Sequence, residues 1–193
     1  MMRAIRIFLT VFILISAGVF LSRLEAGESV PQGGSDQSGM EIRKAGGVSF
    51  VVPEGWQETP PTSAMRLYQF QIPSTGQNLE SGELTIFYFE GQAMSGVDAN
   101  VTRWKNQFSA FRDQFSPQIN QQTVGSLKVT TVHLEGVFQS GMPGEAPVPK
   151  PDYGLLGAIV EGAQGLVFFK LTGPRQTLEA AKPDFDAMIA SLK

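Results

Sequence analysis

One histidine, no cysteine and 18 acidic residues bound the chemistry open to this chain. A nucleophilic triad would need His133, the only histidine, beside an exposed hydroxyl and a carboxylate, yet no G-x-S-x-G elbow occurs in the 193 residues. Thr131 and Glu135 alternate with His133 along a β-rich run, so the three share one face of a strand, and a partly exposed structural histidine is the expectation. The rival expectation is a small hydrolase using His133 or a carboxylate pair. Glu83 and Glu90 stand seven residues apart at opposite ends of one apolar run, which suits strand-end charges better than the paired carboxyls of glycoside hydrolysis. Zinc and copper need several nitrogen or sulfur ligands, which one histidine without cysteine does not provide, and no D-x-D-x-D-G loop is present for calcium. Gly154, Gly157 and Gly162 fall before and within strands rather than between strand and helix, so a phosphate loop lacks its physical basis. No catalytic residue, metal or cofactor is therefore expected. Three residues stand out as partner-binding candidates: Trp56 after a turn, and Met142 and Tyr153 around a proline-rich stretch.

These residues need a scaffold, and the composition says what kind. With 42% apolar and 17% charged residues, the chain suits one ordinary domain after an N-terminal segment. Arg3 and Arg6 precede sixteen uncharged, mostly apolar residues, Ile7 to Ser22, the pattern of an export signal. Cleavage is expected after Ala26; the competing expectation is an uncleaved signal-anchor, with residues 7–22 in a membrane and the two arginines kept inside. Without cysteine there is no lipobox and no acyl anchor by that route. Removing residues 1–26, with Arg3, Arg6, Arg23 and Glu25, leaves 12 basic and 17 acidic residues, a net charge of −5. Such a balance disfavours nucleic acid, whose phosphates reward clustered Lys and Arg. Residues 27–45 are rich in Gly, Ser and Gln and are expected to be a flexible linker, followed by a single domain over 46–193.

Within that domain, Val48–Val52 is a β-rich run closed by the turn Pro53-Glu54-Gly55. Arg66–Ile72 alternates, with Tyr68, Phe70 and Ile72 on one face. Glu83–Glu90 is apolar on both faces, the signature of a strand covered on both sides. Val97, Val101, Trp104, Phe108, Phe111 and Phe115 are spaced four, three, four, three, four, which predicts one amphipathic helix over Val97–Phe115. Thr123–Phe138 predicts a strand pair or a long bent strand, with a bulge between Val129 and Val132 to reconcile two apolar phases. Ser140–Asp152 carries four prolines and predicts an extended surface loop. Leu155–Glu161 and Leu166–Thr172 predict a hairpin. A closing helix follows Gly173-Pro174, with a stripe of Leu178, Ala181, Phe185, Met188 and Leu192 and a kink or break at Pro183. The fold class expected is α+β, a central mostly antiparallel sheet flanked by two amphipathic helices in an α/β/α sandwich.

Two stretches carry a family resemblance. Phe50-Val51-Val52-Pro53-Glu54-Gly55-Trp56 resembles the opening strand and P-x-G-W turn of PsbP-like proteins. The end is also similar: Phe168-Phe169-Lys170-Leu171-Thr172-Gly173-Pro174 in a hairpin, then a helix with Phe185 and Ser191-Leu192. The resemblance covers about Gly46 to Lys193. It implies a small extrinsic domain that assists protein complexes or the cell envelope, usually without catalysis, and it transfers no functional residue. A photosystem role is not carried over. The function expected is that of an exported, periplasmic or extracellular, non-catalytic domain binding a protein or envelope component. The alternatives are the hydrolase above and a membrane-tethered structural factor.

Overall fold

The computed structural model describes residues 41–74, 76, 79–91, 96–141 and 146–193. The expected export signal, its cleavage point after Ala26, residues 27–40 of the linker and Met142 lie outside the described residues. Along the described chain run β1 (Glu41–Ala45), β2 (Val48–Val52), β3 (Gln57–Glu58), β4 (Tyr68–Ile72), β5 (Gly82–Glu90), α1 (Gly96–Lys105), β6 (Phe108–Phe111), β7 (Gln118–Val124), β8 (Leu127–Ser140), β9 (Val148–Gly162), β10 (Gly165–Pro174) and α2 (Arg175–Ala190). β1 and β2 form a hairpin of their own. The other strands form an eight-stranded sheet in the order β3-β4-β5-β10-β9-β8-β6, with β7 also on β8, and its strand pairings are antiparallel.

Strand alternation splits the core into two clusters, one per sheet face. On one face Phe70, Ile72, Leu84, Ile86, Val129, Leu156, Ala158, Val160, Val167, Phe169 and Leu171 pack against Leu178, Ala181, Phe185, Met188 and Ile189 of α2 and against the β1–β2 hairpin. On the other, Val132, Leu134, Leu155, Ile159 and Phe168 pack against Val101 and Trp104 of α1 and against Phe108. The protein is thus a mostly antiparallel sheet with two helices, and the two covers are unequal. α2 is a sixteen-residue helix, whereas α1 has ten residues and leaves Phe87, Phe89, Phe138 and Leu166 only partly buried.

Several expectations need correction. The linker expected through Ala45 overlaps a strand, because Glu41–Ala45 pairs residue by residue with Val48–Val52. The hairpin closes through Gly46 and Gly47, both at positive φ (54° and 80°), the conformation a two-residue turn between right-twisted strands requires. The Val97–Phe115 helix stops at Lys105, and Phe108–Phe111 instead pairs with β8 near Gly136 and Phe138. β8 is fourteen residues long, and the end beyond β7 offers a backbone edge that outweighs local helical spacing. The two phases of β8 are not joined by a bulge at Val129–Val132, where pairing with β9 runs without a shift. They are two covered faces, and the register shift falls between Gly136 and Phe138.

The proline-rich stretch is only in part a loop. Phe138, Gln139 and Ser140 pair with Lys150, Pro149 and Val148. β10 ends opposite Tyr153, so the outer part of β9 has a neighbour on one side alone, where a strand tolerates proline. Pro183 neither ends nor divides α2, which is a single element through Ala190; the residue is exposed, so the backbone acceptor it deprives can face water. Among the described residues no helix is long and apolar enough to cross a membrane.

Candidate functional site

His133 projects from β8 on the α2 side, in contact with charge; the Thr131 hydroxyl, on the same face, donates to Asn120 O at 3.5 Å rather than to the imidazole. Its Nε2 lies 3.1 Å from Glu135 Oε1, while Arg112 Nε donates to Glu135 Oε2 at 2.7 Å. Glu135 is only 4% exposed, so the two contacts hold a carboxylate that would otherwise be costly to bury. The Phe115 ring stands edge-on to the imidazole at 5.3 Å. Burial pushes the His133 pKa below its ordinary value, and Lys182 pushes the same way, while Glu135 opposes both. Two recesses adjoin the ring, of about 20 and 60 Å³. The first has room for roughly one water, and both fall far short of the ~300 Å³ at which ligand pockets begin. Leu156, Leu178, Phe185, Arg175, Lys182 and Thr131 help line them, and among the described residues no serine does. The Nδ1 atom is buried and has no hydrogen-bond partner among the described residues. This is a His–Glu–Arg cluster built around one buried carboxylate, with His133 partly buried and Arg112 exposed, and no hydroxyl among the described residues is bonded to the imidazole.

The carboxylate pair separates as well. Glu83 accepts hydrogen bonds from Arg66 Nη1 (3.0 Å) and Gln69 Nε2 (2.9 Å), while Glu90 is exposed at the far end of β5. Trp56 belongs to the larger core cluster at 8% exposure and presents no surface to a partner. Tyr153 lies in β9, stacked on Phe138 (6.1 Å, 10° between planes), with its hydroxyl donating to Glu80. Burial first, and then that bond to Glu80, raise the Tyr153 pKa, so it remains a phenol. Among the described residues, no group of three or more His, Cys, Asp or Glu side chains is placed to hold a metal ion.

The feature that sequence reasoning passed over is Lys170. β10 turns Val167, Phe169 and Leu171 to the larger cluster and Leu166, Phe168 and Lys170 to the α1 face. On that face Gln69, Thr85, Lys170, Gly157 and Val132 lie directly opposite one another across five strands. Trp104 sits on Gly157 so closely that any Cβ there would run into the ring, which explains why a strand in the sheet centre carries a glycine at this position. Trp104 also meets Phe168 edge-on at 6.3 Å. α1 therefore covers the row down to Gly157, and the next residue along the row is an amine. Lys170 Nζ lies 5.6 Å from the centre of the Phe138 ring. Burial, reinforced by Arg66, lowers its pKa to about 8, against an opposing pull from Glu83.

The neighbouring carboxylates are already engaged. Glu80 accepts from Lys150 Nζ at 2.8 Å and from Tyr153, and these bonds hold its pKa below the usual range. Glu83 is held by Arg66 and Gln69. Lys170 is then the one desolvated cation of this patch without a salt bridge among the described residues. A groove of about 290 Å³ lies further out on β4 and β5, lined by Thr59, Gln69, Phe70, Gln71, Ser81 and Glu83, and Lys170 does not line it. A lone lysine inside the apolar run Leu166–Thr172 was the available signal, and only the register revealed what surrounds it.

No family model matches the sequence, and no curated protein does. Similarity lies in structure. A Pseudomonas aeruginosa protein of unknown function, PA94, aligns with 14% identity and a TM-score of 0.45, over 79% of this chain and 94% of its own. The solution structure of cyanobacterial PsbP (CyanoP) from Synechocystis sp. PCC 6803 aligns with 14% identity and a TM-score of 0.53, over 83% of this chain and 97% of its own. At this identity that alignment speaks to architecture alone: the domain has the PsbP-like fold.

Proposed function

We propose that this chain is an exported, non-catalytic binding domain, and that it takes an acidic segment of a protein on the α1 face around Lys170. The observation that carries this reading is a desolvated amine at the margin of a helix cover, with no salt bridge among the described residues, beside the Phe138 ring on which Tyr153 stacks. Among the described residues the nearby carboxylates are engaged elsewhere: Arg66 and Lys150 hold Glu83 and Glu80, and Glu83 acts on Lys170 only at longer range. An incoming carboxylate would offset the desolvation of Lys170, and the rings would supply apolar contact area. The export reading of residues 1–26 belongs to the same proposal. Intact mass tests it: a mature chain starting at Gly27 supports secretion, whereas a retained Met1 end supports the membrane-tethered structural factor.

The binding reading is tested by titrating acidic and basic fluorescent peptides into the wild type and into Lys170→Glu. Binding of the acidic peptides that weakens at least tenfold in the variant supports it. Equal binding of both peptide classes, or no loss in the variant, removes Lys170 from the role. The hydrolase reading keeps one observation of its own, the pairing of His133 with Glu135. Ester or amide turnover that disappears in His133→Asn would favour it over the binding domain.

A further inference from the structure

The sheet has unequally protected edges. At one end β3 has two residues, is followed by Pro60-Pro61, and carries Glu58 tied to Arg43 at 2.7 Å. β6 is four residues long, and its register shifts between Phe108 and Ala110. Short length, proline, charge and bulges are the usual devices that keep a sheet edge from pairing with another chain. β7 is longer, unbulged and uncharged, with a proline only ahead of its first residue. Its seven residues pair with β8 without a shift, and among the described residues no other strand flanks it. Gln118 to Thr123 are all exposed, Ile119 at 43%. From Gln114 to Leu127 the sequence holds no charged residue, and Pro117 precedes the strand.

We propose that β7 is a self-association edge, on which a second copy of this chain adds its own β7 antiparallel across a two-fold axis. A two-fold interface sets each surface against itself, so any charge on it meets its like. In an acidic chain the uncharged β7 escapes that repulsion, whereas a charged partner would find nothing on it to read. Centring the axis on Gln121 sets Asn120 opposite Gln122 of the second copy and Ile119 opposite its Thr123. Amide meets amide on one sheet face, and the exposed isoleucine gains a β-branched neighbour on the other. The open backbone groups of β7 pair at the same time, and the sheet continues from one copy into the next. A single seven-residue edge buries little area, so the dimer is weak, with a Kd on the order of micromolar.

The absence of cysteine makes the test direct, since one introduced thiol reports one position. In Gln121→Cys the two thiols face each other across the axis, at a separation antiparallel neighbours and disulfides share. The full chain in detergent, mildly oxidised at micromolar concentration, is expected to form disulfide dimers about tenfold faster than Glu54→Cys, an exposed turn control. Ile119→Cys mixed with Thr123→Cys is expected to yield the mixed dimer over either self-dimer. Sedimentation is expected to show a concentration-dependent dimer for the wild type and a monomer for Gln121→Lys, with unchanged circular dichroism. Equal rates for Gln121→Cys and Glu54→Cys overturn the proposal, as does a dimer that persists in a folded Gln121→Lys. Adducts between Gln121→Cys and a different protein, in place of the homodimer, overturn the second copy as the occupant.

Discussion

The two faces of the sheet are built from the same strands yet finished differently. Under α2, the inward positions of β4, β5, β9 and β10 are aliphatic or aromatic, and the helix and hairpin close over them. The chain end locks this cover: Ser49 and Lys193 exchange backbone hydrogen bonds at 2.9 and 3.1 Å, and Ser191 Oγ accepts from Val51 N–H at 2.9 Å. Under α1 the same alternation yields Phe168 and Ile159, then Lys170 and Thr85 where the shorter helix no longer reaches. One face is an interior. The other is an interior that grades into a surface, and the one lysine of a doubly covered strand marks the margin.

This contrast can be broken at the sealed face first. Phe169 has no exposed surface and meets Phe50 edge-on at 5.1 Å, so Phe169→Ala is expected to cost about 3–5 kcal/mol in urea unfolding. Trp104→Ala on the lighter cover is expected to cost about 3 kcal/mol, because its 6% exposure and its seat on Gly157 leave a cavity that the backbone cannot fill. A loss below ~1 kcal/mol would show that α1 is no true cover.

Lys170→Met should move the other way. With a folded pKa of about 8 against an ordinary 10.5, the amine carries a desolvation penalty in the folded state wherever both states are protonated. Between those values the unfolded state holds the extra proton, so stability rises with pH and the penalty is gone above the upper one. The variant is therefore expected to be more stable than the wild type by about 2 kcal/mol at pH 7, with the difference shrinking towards pH 10. A pH-independent difference would place the amine in water.

His133 offers a smaller test on the sealed side. Its lowered pKa means that stability falls as pH drops through its ordinary value of 6.5 towards the folded one, where protonation must occur inside the cluster. His133→Gln is expected to flatten that slope, read from urea midpoints between pH 7 and 5; an unchanged slope would show that the imidazole is hydrated. Least of all should follow from replacing residues 141–147 with a brief Gly/Ser turn. Ser140 and Val148 are already cross-strand partners, so a change within about 0.5 kcal/mol is expected.

Much of this architecture is written locally. Alternation in Arg66–Ile72, double-sided apolarity in Glu83–Glu90 and the stripe of the last helix each follow from neighbours a few residues apart, and they hold in β4, β5 and α2. The Phe50–Trp56 and Phe168–Pro174 stretches carried enough local pattern to indicate the PsbP-like fold. What failed needed partners distant in sequence. Phe108–Phe111 keeps helical spacing but takes a strand because β8, some thirty residues on, leaves an edge open to it. Pro149 tolerates a strand because β10 ends before it, and the two phases of β8 look irregular until both faces are known to be covered.

The candidate site divides in the same way. Composition alone limited the chemistry to one imidazole, carboxylates and amines without a thiol, since residue types are a property of the chain. Whether His133 meets a hydroxyl or Glu135, whether Trp56 is core or rim, and whether Lys170 is hydrated or desolvated depend on register and on where a helix stops. Tertiary structure decided these, because burial and the charges that surround a group come from strands brought together over tens of residues, and no local spacing encodes them.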